Sequence, residues 1–146
     1  MQLSKRTQYG LRALVCLCEF YPKGYLQTRE LAAREELPTK FLESILSALA
    51  RAKLLSSKIG ATGGYRLAKN PREIMIGDVI ARLEGKKLLQ EAESPSSDEQ
   101  SPGEIAVDIL QSKLSGAISD VLESTSLAGL VDMVGQRSRS GQMYYI

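Results

Sequence analysis

Between Thr28 and Tyr65 the chain passes through two short helical segments and then a hairpin tipped by Gly60-Ala61-Thr62-Gly63-Gly64. The second segment, from about Pro38 to Ala52, constrains the fold most. Leu42, Ile45, Leu46 and Leu49 recur there at i, i+3, i+4 and i+7, which makes one apolar stripe of a helix. Lys40, Glu43, Ser44, Ser47 and Arg51 fall on the other side, because the helical period is about 3.6 residues. One face suits a core; the other offers short polar and charged groups. Glu43 can accept from cytosine N4, Ser44 and Ser47 can meet either kind of base edge, and Lys40 can reach guanine or phosphate. Taken alone, such a stripe is a solvated helix face. Its place after one helix and before a glycine-tipped hairpin makes it a candidate for reading DNA.

The flanking elements fit that reading. Thr28 is an expected N-cap for a short helix carrying Leu31, Ala32 and Leu37 inward. Leu37-Pro38-Thr39 is the turn, where Pro38 is tolerated because a first-turn N–H has no intrahelical partner. Leu54 to Ile59 reads as a strand, and Tyr65-Arg66-Leu67 as its return. Gly60, Gly63 and Gly64 permit positive φ and close approach to a phosphate or minor groove. Glycine hairpins occur in many unrelated proteins, so the order of elements carries the argument. The expected fold is mainly α with a small β-hairpin wing (α+β), a winged helix-turn-helix, and its expected partner is double-stranded DNA.

Charge divides along the chain in the same sense. The 146 residues carry a net charge of only +2. Residues 1–87 hold 16 Lys/Arg against 8 Asp/Glu, whereas residues 88–146 hold 3 against 9. A basic first part suits a phosphate backbone, and an acidic second part faces away from it. No apolar run approaches the ~20 residues of a membrane span. Lys5, Arg6 and Arg12 interrupt any signal-peptide core, so the expected location is cytoplasmic.

The first helix, about Ser4 to Tyr21, is apolar around much of its circumference through Leu11, Leu14, Val15, Leu17 and Phe20, and so should be packed on several sides. It holds both cysteines of the chain, Cys16 and Cys18. Two residues apart on a helix they point about 200° away from each other, so they can neither pair nor clamp one metal. They read as small buried hydrophobes, with a redox-sensing thiol as the alternative. The chain has no histidine, which excludes a histidine triad and most zinc sites. Its acids are scattered without a paired-carboxylate or nucleotide-loop pattern, so an enzyme is the remote alternative.

Residues 1–84 form the expected DNA-binding domain and 85–103 a flexible linker, polar from Lys86-Lys87 through Ser94-Pro95-Ser96-Ser97-Asp98-Glu99. Dimerisation helices over 104–135 and a tail over 136–146 follow. From Glu104 to Ser124 one long helix is expected, with Val107, Leu110, Leu114, Ala117 and Val121 at the 3-4-3-4 spacing of a paired-helix seam. Ile105, Ile109, Ile118 and Leu122 widen that face. A small winged domain cannot cover it, so a homodimer is expected. Leu127, Leu130, Val131 and Met133 suggest a short final helix.

The opening Leu3-Ser4-Lys5-Arg6-Thr7-Gln8-Tyr9-Gly10-Leu11, together with Phe41-Leu42-Glu43, Leu54-Leu55-Ser56-Ser57 and Gly63-Gly64-Tyr65-Arg66-Leu67-Ala68, resembles the Rrf-two family of bacterial winged-helix regulators. Ile76-Gly77-Asp78-Val79-Ile80 and Thr125-Ser126-Leu127-Ala128-Gly129-Leu130-Val131 continue the resemblance over nearly the whole chain. It implies a homodimer whose long helix after the winged domain makes most of the interface. It places Ser4, Arg6 and Tyr9 near the DNA backbone, with core packing as the other reading of Tyr9. Phe41, Gly63, Gly64 and Tyr65 join the DNA-contacting set by the same resemblance. Relatives often carry an arginine just before the wing glycine, where this chain has Ile59; Lys58 stands in from the neighbouring position. Cluster-binding members place three cysteines in the linker region. This chain has none there, so no iron–sulfur cluster, other cofactor or metal is expected.

The chain ends in Met143-Tyr144-Tyr145-Ile146, apolar for a terminus. Either these residues fold back onto the dimer, or, as the resemblance implies, Tyr145 and Ile146 dock into a partner enzyme, O-acetylserine sulfhydrylase, through the terminal carboxylate. The expected function is thus a homodimeric regulator, a repressor of a pseudo-palindromic operator. Lys40, Glu43, Ser44 and Ser47 read bases, while Arg6, Thr28, Thr39 and Lys58 hold phosphates. A regulator of cysteine and sulfur metabolism controlled by a partner enzyme is the alternative.

Overall fold

The computed structural model describes residues 2–85 and 99–143. Among them the order is α1 (Lys5–Phe20), α2 (Thr28–Glu35), α3 (Thr39–Arg51), β1 (Leu55–Lys58), β2 (Gly64–Leu67), α4 (Ile76–Glu84), α5 (Pro102–Ser124) and α6 (Leu127–Met143). The mainly helical fold with a two-stranded antiparallel wing is the one expected.

α1 begins where Ser4 Oγ accepts the Thr7 N–H at 3.2 Å, a side-chain N-cap. Its Ala13, Leu14 and Leu17 are buried. At Gly10 a Cβ would lie 2.4 Å from Leu83 Cδ1 and 3.2 Å from Ile45 Cγ2, so the glycine sets how closely α1 meets α3 and α4.

Thr28 is not the cap of α2, contrary to expectation. Gln27 occupies the N-cap position and no side chain caps the helix. Ahead of it Leu26 pairs with Tyr65, and the Gln27 side chain engages the wing, its Nε2 donating to the Ala61 carbonyl at 2.8 Å, while its amide oxygen accepts from no first-turn N–H of the helix. Glu36, at φ 53°, ends α2. Pro38 then holds the N-cap position of α3, outside the helix proper, where its fixed φ costs nothing.

Leu42, Ile45, Leu46 and Leu49 of α3 are all fully buried. Leu55 and Leu67, opposite one another at the base of the wing, join the same core. At the tip Gly60 uses its freedom, with φ 113°. Gly63 does not adopt positive φ; a Cβ there would lie 2.0 Å from the Lys58 carbonyl oxygen. Gly64 has φ 129° and a Cβ there would meet the Leu26 carbonyl oxygen at 2.2 Å. Gly63 answers to crowding inside the wing, and Gly64 to its positive φ and the close approach of Leu26.

α4 buries Ile76, Val79, Ile80 and Leu83 at helical spacing. The segment leading into it clasps the α5–α6 junction, with Ile76 N–H donating to Thr125 O at 2.9 Å and Leu127 N–H to Ile74 O at 2.8 Å. α5 starts at Pro102, two residues before the expected Glu104, because Ser101 and Glu104 form a reciprocal capping box with Pro102 in the first turn. α6 runs 17 residues to Met143, longer than the short helix its apolar positions suggest. Residues 86–98, most of the expected linker, lie outside the described residues.

The two faces of α5 differ from expectation at one end. Val107, Leu110, Leu114 and Val121 are 55–61% exposed, as an outward seam would be. Leu122 does not widen that seam: it is buried, beside Gly77 of α4, where a Cβ would come within 3.3 Å of its own. Ile118 is half-buried against the same core.

Candidate nucleic-acid interface

Opposite its buried row, α3 presents Lys40, Glu43 and Ser44 exposed and Ser47 half-buried, with Arg51 exposed beyond them. Two of these side chains are already engaged on one side. Arg6 Nη1 of α1 donates to Ser44 Oγ, and Arg51 Nη2 donates to Ser47 Oγ, both at 3.3 Å. A serine whose oxygen accepts from an arginine still has its O–H to give. Ser44 and Ser47 are therefore biased towards acceptors, such as guanine O6 and N7, adenine N7 or a phosphate oxygen. Glu43 offers the opposite sense, an acceptor for cytosine N4 or adenine N6.

α2 and α3 both start without a side-chain cap, so first-turn N–H groups near half-buried Thr28 and exposed Thr39 have no side-chain partner of this kind. Such groups suit an outside anion. From α1, half-buried Arg6 reaches α3 as described. Ser4 is occupied: its N–H donates to Glu84 Oε1 at 2.6 Å and its Oγ caps α1. Tyr9 is half-buried against the core and meets Phe41 edge to face, with ring centroids 5.6 Å apart and planes at 78°. Arg12 lies 6.0 Å from the Tyr9 ring centroid and pairs with Glu35 at 3.2 Å, the only ion pair between described residues. That contact set favours packing for Tyr9 and leaves Phe41, 37% exposed, at the rim.

The wing carries exposed Lys58, and beyond it Ile59 is 99% exposed. Gly63 is buried, while Gly64 and Tyr65 are half-buried; the Tyr65 backbone is bonded to Leu26 in both directions, at 2.8 and 2.9 Å. Reasoning from sequence passed over Tyr25, Gln27 and Arg66. Lys58 Nζ is 5.7 Å and Arg66 Cζ 4.7 Å from the Tyr25 ring centroid. Hairpin alternation could have placed Arg66 beside Lys58, but a one-residue bridge at Leu26 is too short to show in a sequence pattern. The proposed dimer residues Val107, Leu110, Leu114, Ala117 and Val121 lie exposed along α5. Tyr145 and Ile146 fall outside the described residues.

The thiols are poor ligands and poor nucleophiles. Burial pushes the Cys16 thiol above its usual 9.0, with nearby Arg34 opposing and Glu19 and Glu35 adding to the rise. Cys18 is pushed up to about 11 by burial and then by Glu19. Neither carries much thiolate near neutrality, which works against the redox-sensing reading. Among the described residues no group of three or more Cys, Asp or Glu could hold a metal ion, and no helix is long and apolar enough to cross a membrane.

The profile of the Rrf2 family, described as an iron-dependent transcriptional regulator, matches residues 3–133. The chain is similar to the HTH-type transcriptional regulator CymR of Bacillus subtilis (strain 168), 30% identical over 146 residues and covering all of both chains. Among solved structures it is similar to CymR (YrzC), the global cysteine regulator of B. subtilis. That similarity has a TM-score of 0.78 and 30% identity, covering 91% of this chain and 98% of that one. It is also similar to T. potens IscR, with a TM-score of 0.73 and 28% identity, covering 92% and 88%.

Proposed function

The chain belongs to the Rrf2 family and is a DNA-binding transcriptional regulator, and from that premise we propose that it acts as a homodimeric repressor on a pseudo-palindromic operator. The observation that carries this is the division of α3. Its inner row is wholly buried, which fixes the helix, and its outer row offers Lys40, Glu43, Ser44 and Ser47 to a groove. In a two-fold dimer each α3 enters a major groove, so the half-sites lie about one helical turn apart. The exposed stripe of α5 supports the second copy. The chain works in the cytoplasm and has no catalysis of its own. Selection of bound duplexes from random DNA tests the reading: enrichment of an inverted repeat supports it, and enrichment of no sequence removes it.

The family's description invokes iron, but the donor set here does not fit an iron–sulfur cluster. Such clusters are held by thiolates, and this chain has two cysteines, both on α1 and both held as thiols by burial. We assign it no cofactor.

A second reading concerns pathway. The end-to-end similarity to CymR, the global cysteine regulator of B. subtilis, favours control of cysteine metabolism, and the apolar terminal residues Tyr145 and Ile146 with their carboxylate suit docking into O-acetylserine sulfhydrylase. Calorimetric titration of the ten-residue C-terminal peptide into that enzyme tests it. Heat that O-acetylserine abolishes supports docking; no heat ends it.

A further inference from the structure

Three consecutive residues ahead of α2 grip the wing. Leu26 exchanges two backbone hydrogen bonds with Tyr65, Gln27 Nε2 donates to the Ala61 carbonyl at 2.8 Å, and Tyr25 meets two cations from different strands. The strand register explains the last contact. Lys58 stands opposite Gly64 and Ser56 opposite Arg66, so Lys58 and Arg66 lie diagonally on one face of the hairpin. Gly64 lets the backbone at Leu26 approach closer than any side chain would allow, which brings Tyr25 to that face. The Lys58 ammonium then sits 5.7 Å and the Arg66 guanidinium 4.7 Å from the ring centroid, both within cation–π range.

Two like charges gathered on one ring repel each other, and neither is paired with a carboxylate among the described residues. Such an arrangement lacks a counter-charge on the protein and suits a polyanion outside it. At the tip, Ile59 has no donor with which to read a groove floor. We propose that Tyr25, Lys58 and Arg66 form one phosphate-binding unit, in which the two cations contact the DNA backbone and Tyr25 is the positioning residue that holds them. The unit deepens the DNA-binding reading on which it rests: the wing contributes affinity through the backbone, and base discrimination is left to α3.

The test is the salt dependence of binding to one duplex, by full-length protein whose folding is checked by thermal melting. Lys58→Ala and Arg66→Ala should each flatten the log–log salt slope by about 0.9 for every wing engaged. Tyr25→Leu keeps both charges, so its slope should match the unaltered protein while affinity falls roughly fivefold as two cation–π contacts are lost. Tyr25→Phe should restore affinity, because the ring and not the hydroxyl does the holding. An unchanged slope for Arg66→Ala, or full affinity for Tyr25→Leu, overturns the unit. If Tyr25→Leu does not fold, the Arg66→Ala slope decides alone. Failure of the unaltered protein to bind any duplex would remove the DNA-binding premise itself, a result distinct from normal binding with an unaltered slope.

Discussion

α3 and α5 carry the same kinds of residue to opposite ends. Leucines and isoleucines at helical spacing are fully buried in α3, whereas in α5 Leu110 and Leu114 are 58% and 56% exposed. Both helices are amphipathic in pattern, so pattern alone does not say whether a stripe is satisfied within the chain. The winged part closes its own core with α1, α2, α4 and the base of the wing. α5 is anchored near its far end, through buried Leu122 and half-buried Ile118, and leaves Val107, Leu110, Leu114 and Val121 to water in a single copy. A contiguous apolar stripe of this kind on a folded chain marks an interaction surface. One part of the molecule is made to be complete, the other to be completed.

The comparison breaks most visibly at Leu114. Leu114→Glu places a charge in the stripe of both copies, so dimerisation should weaken by several kcal/mol as buried charges lack partners. Sedimentation should then find monomers at micromolar concentration, with the melting behaviour of the winged part retained. In contrast, Leu46→Ala empties a fully buried site and should cost about 2–5 kcal/mol of folding stability, read by denaturant unfolding. A loss of dimer with Leu46→Ala, or of folding with Leu114→Glu, would blur the distinction between the two helices.

A smaller effect sharpens the outer face of α3. Glu43→Ala should cost about 1–3 kcal/mol against the preferred site and relax preference at one base pair, measured by competition between operator and random duplexes. Equal losses on both would make Glu43 a bystander. The smallest concerns the closed core itself. Since burial raises both thiols, alkylation of Cys18 should be slow at neutral pH and accelerate as pH rises towards about 11. The same shift gives the stability sign. The thiol's contribution is fully present below its unfolded value of 9.0 and is lost as pH climbs through about 11. A midpoint of alkylation below 9 would reverse the assignment of Cys18 as packing.

Much of this was legible because helical periodicity is a direct consequence of backbone geometry. The buried row of α3, the wing strands and the apolar run of α5 all follow from spacing in the sequence. α4 carries the same signal in Ile76, Val79, Ile80 and Leu83, but its nine residues are near the lower limit at which periodicity speaks. The N-cap of α2 was not legible, since the Gln27 side chain is engaged by the Ala61 carbonyl, 34 residues away in the wing. In the sequence Gly63 and Gly64 offer φ freedom, which Gly64 uses, whereas the crowding that Gly63 relieves depends on the hairpin's closure. Tyr25 and Arg66 escaped for the same reason: their meeting is tertiary. Long-range contact decides which of two correct local readings is used.

The most direct measurement is the stoichiometry and half-site dependence of DNA binding by the full chain, with sedimentation and titration on an intact operator and on one whose second half-site is scrambled. The account predicts two protomers per intact operator and a large loss of affinity when either half-site is scrambled. One protomer per duplex, bound equally well to the intact and the half-scrambled operator, would contradict it.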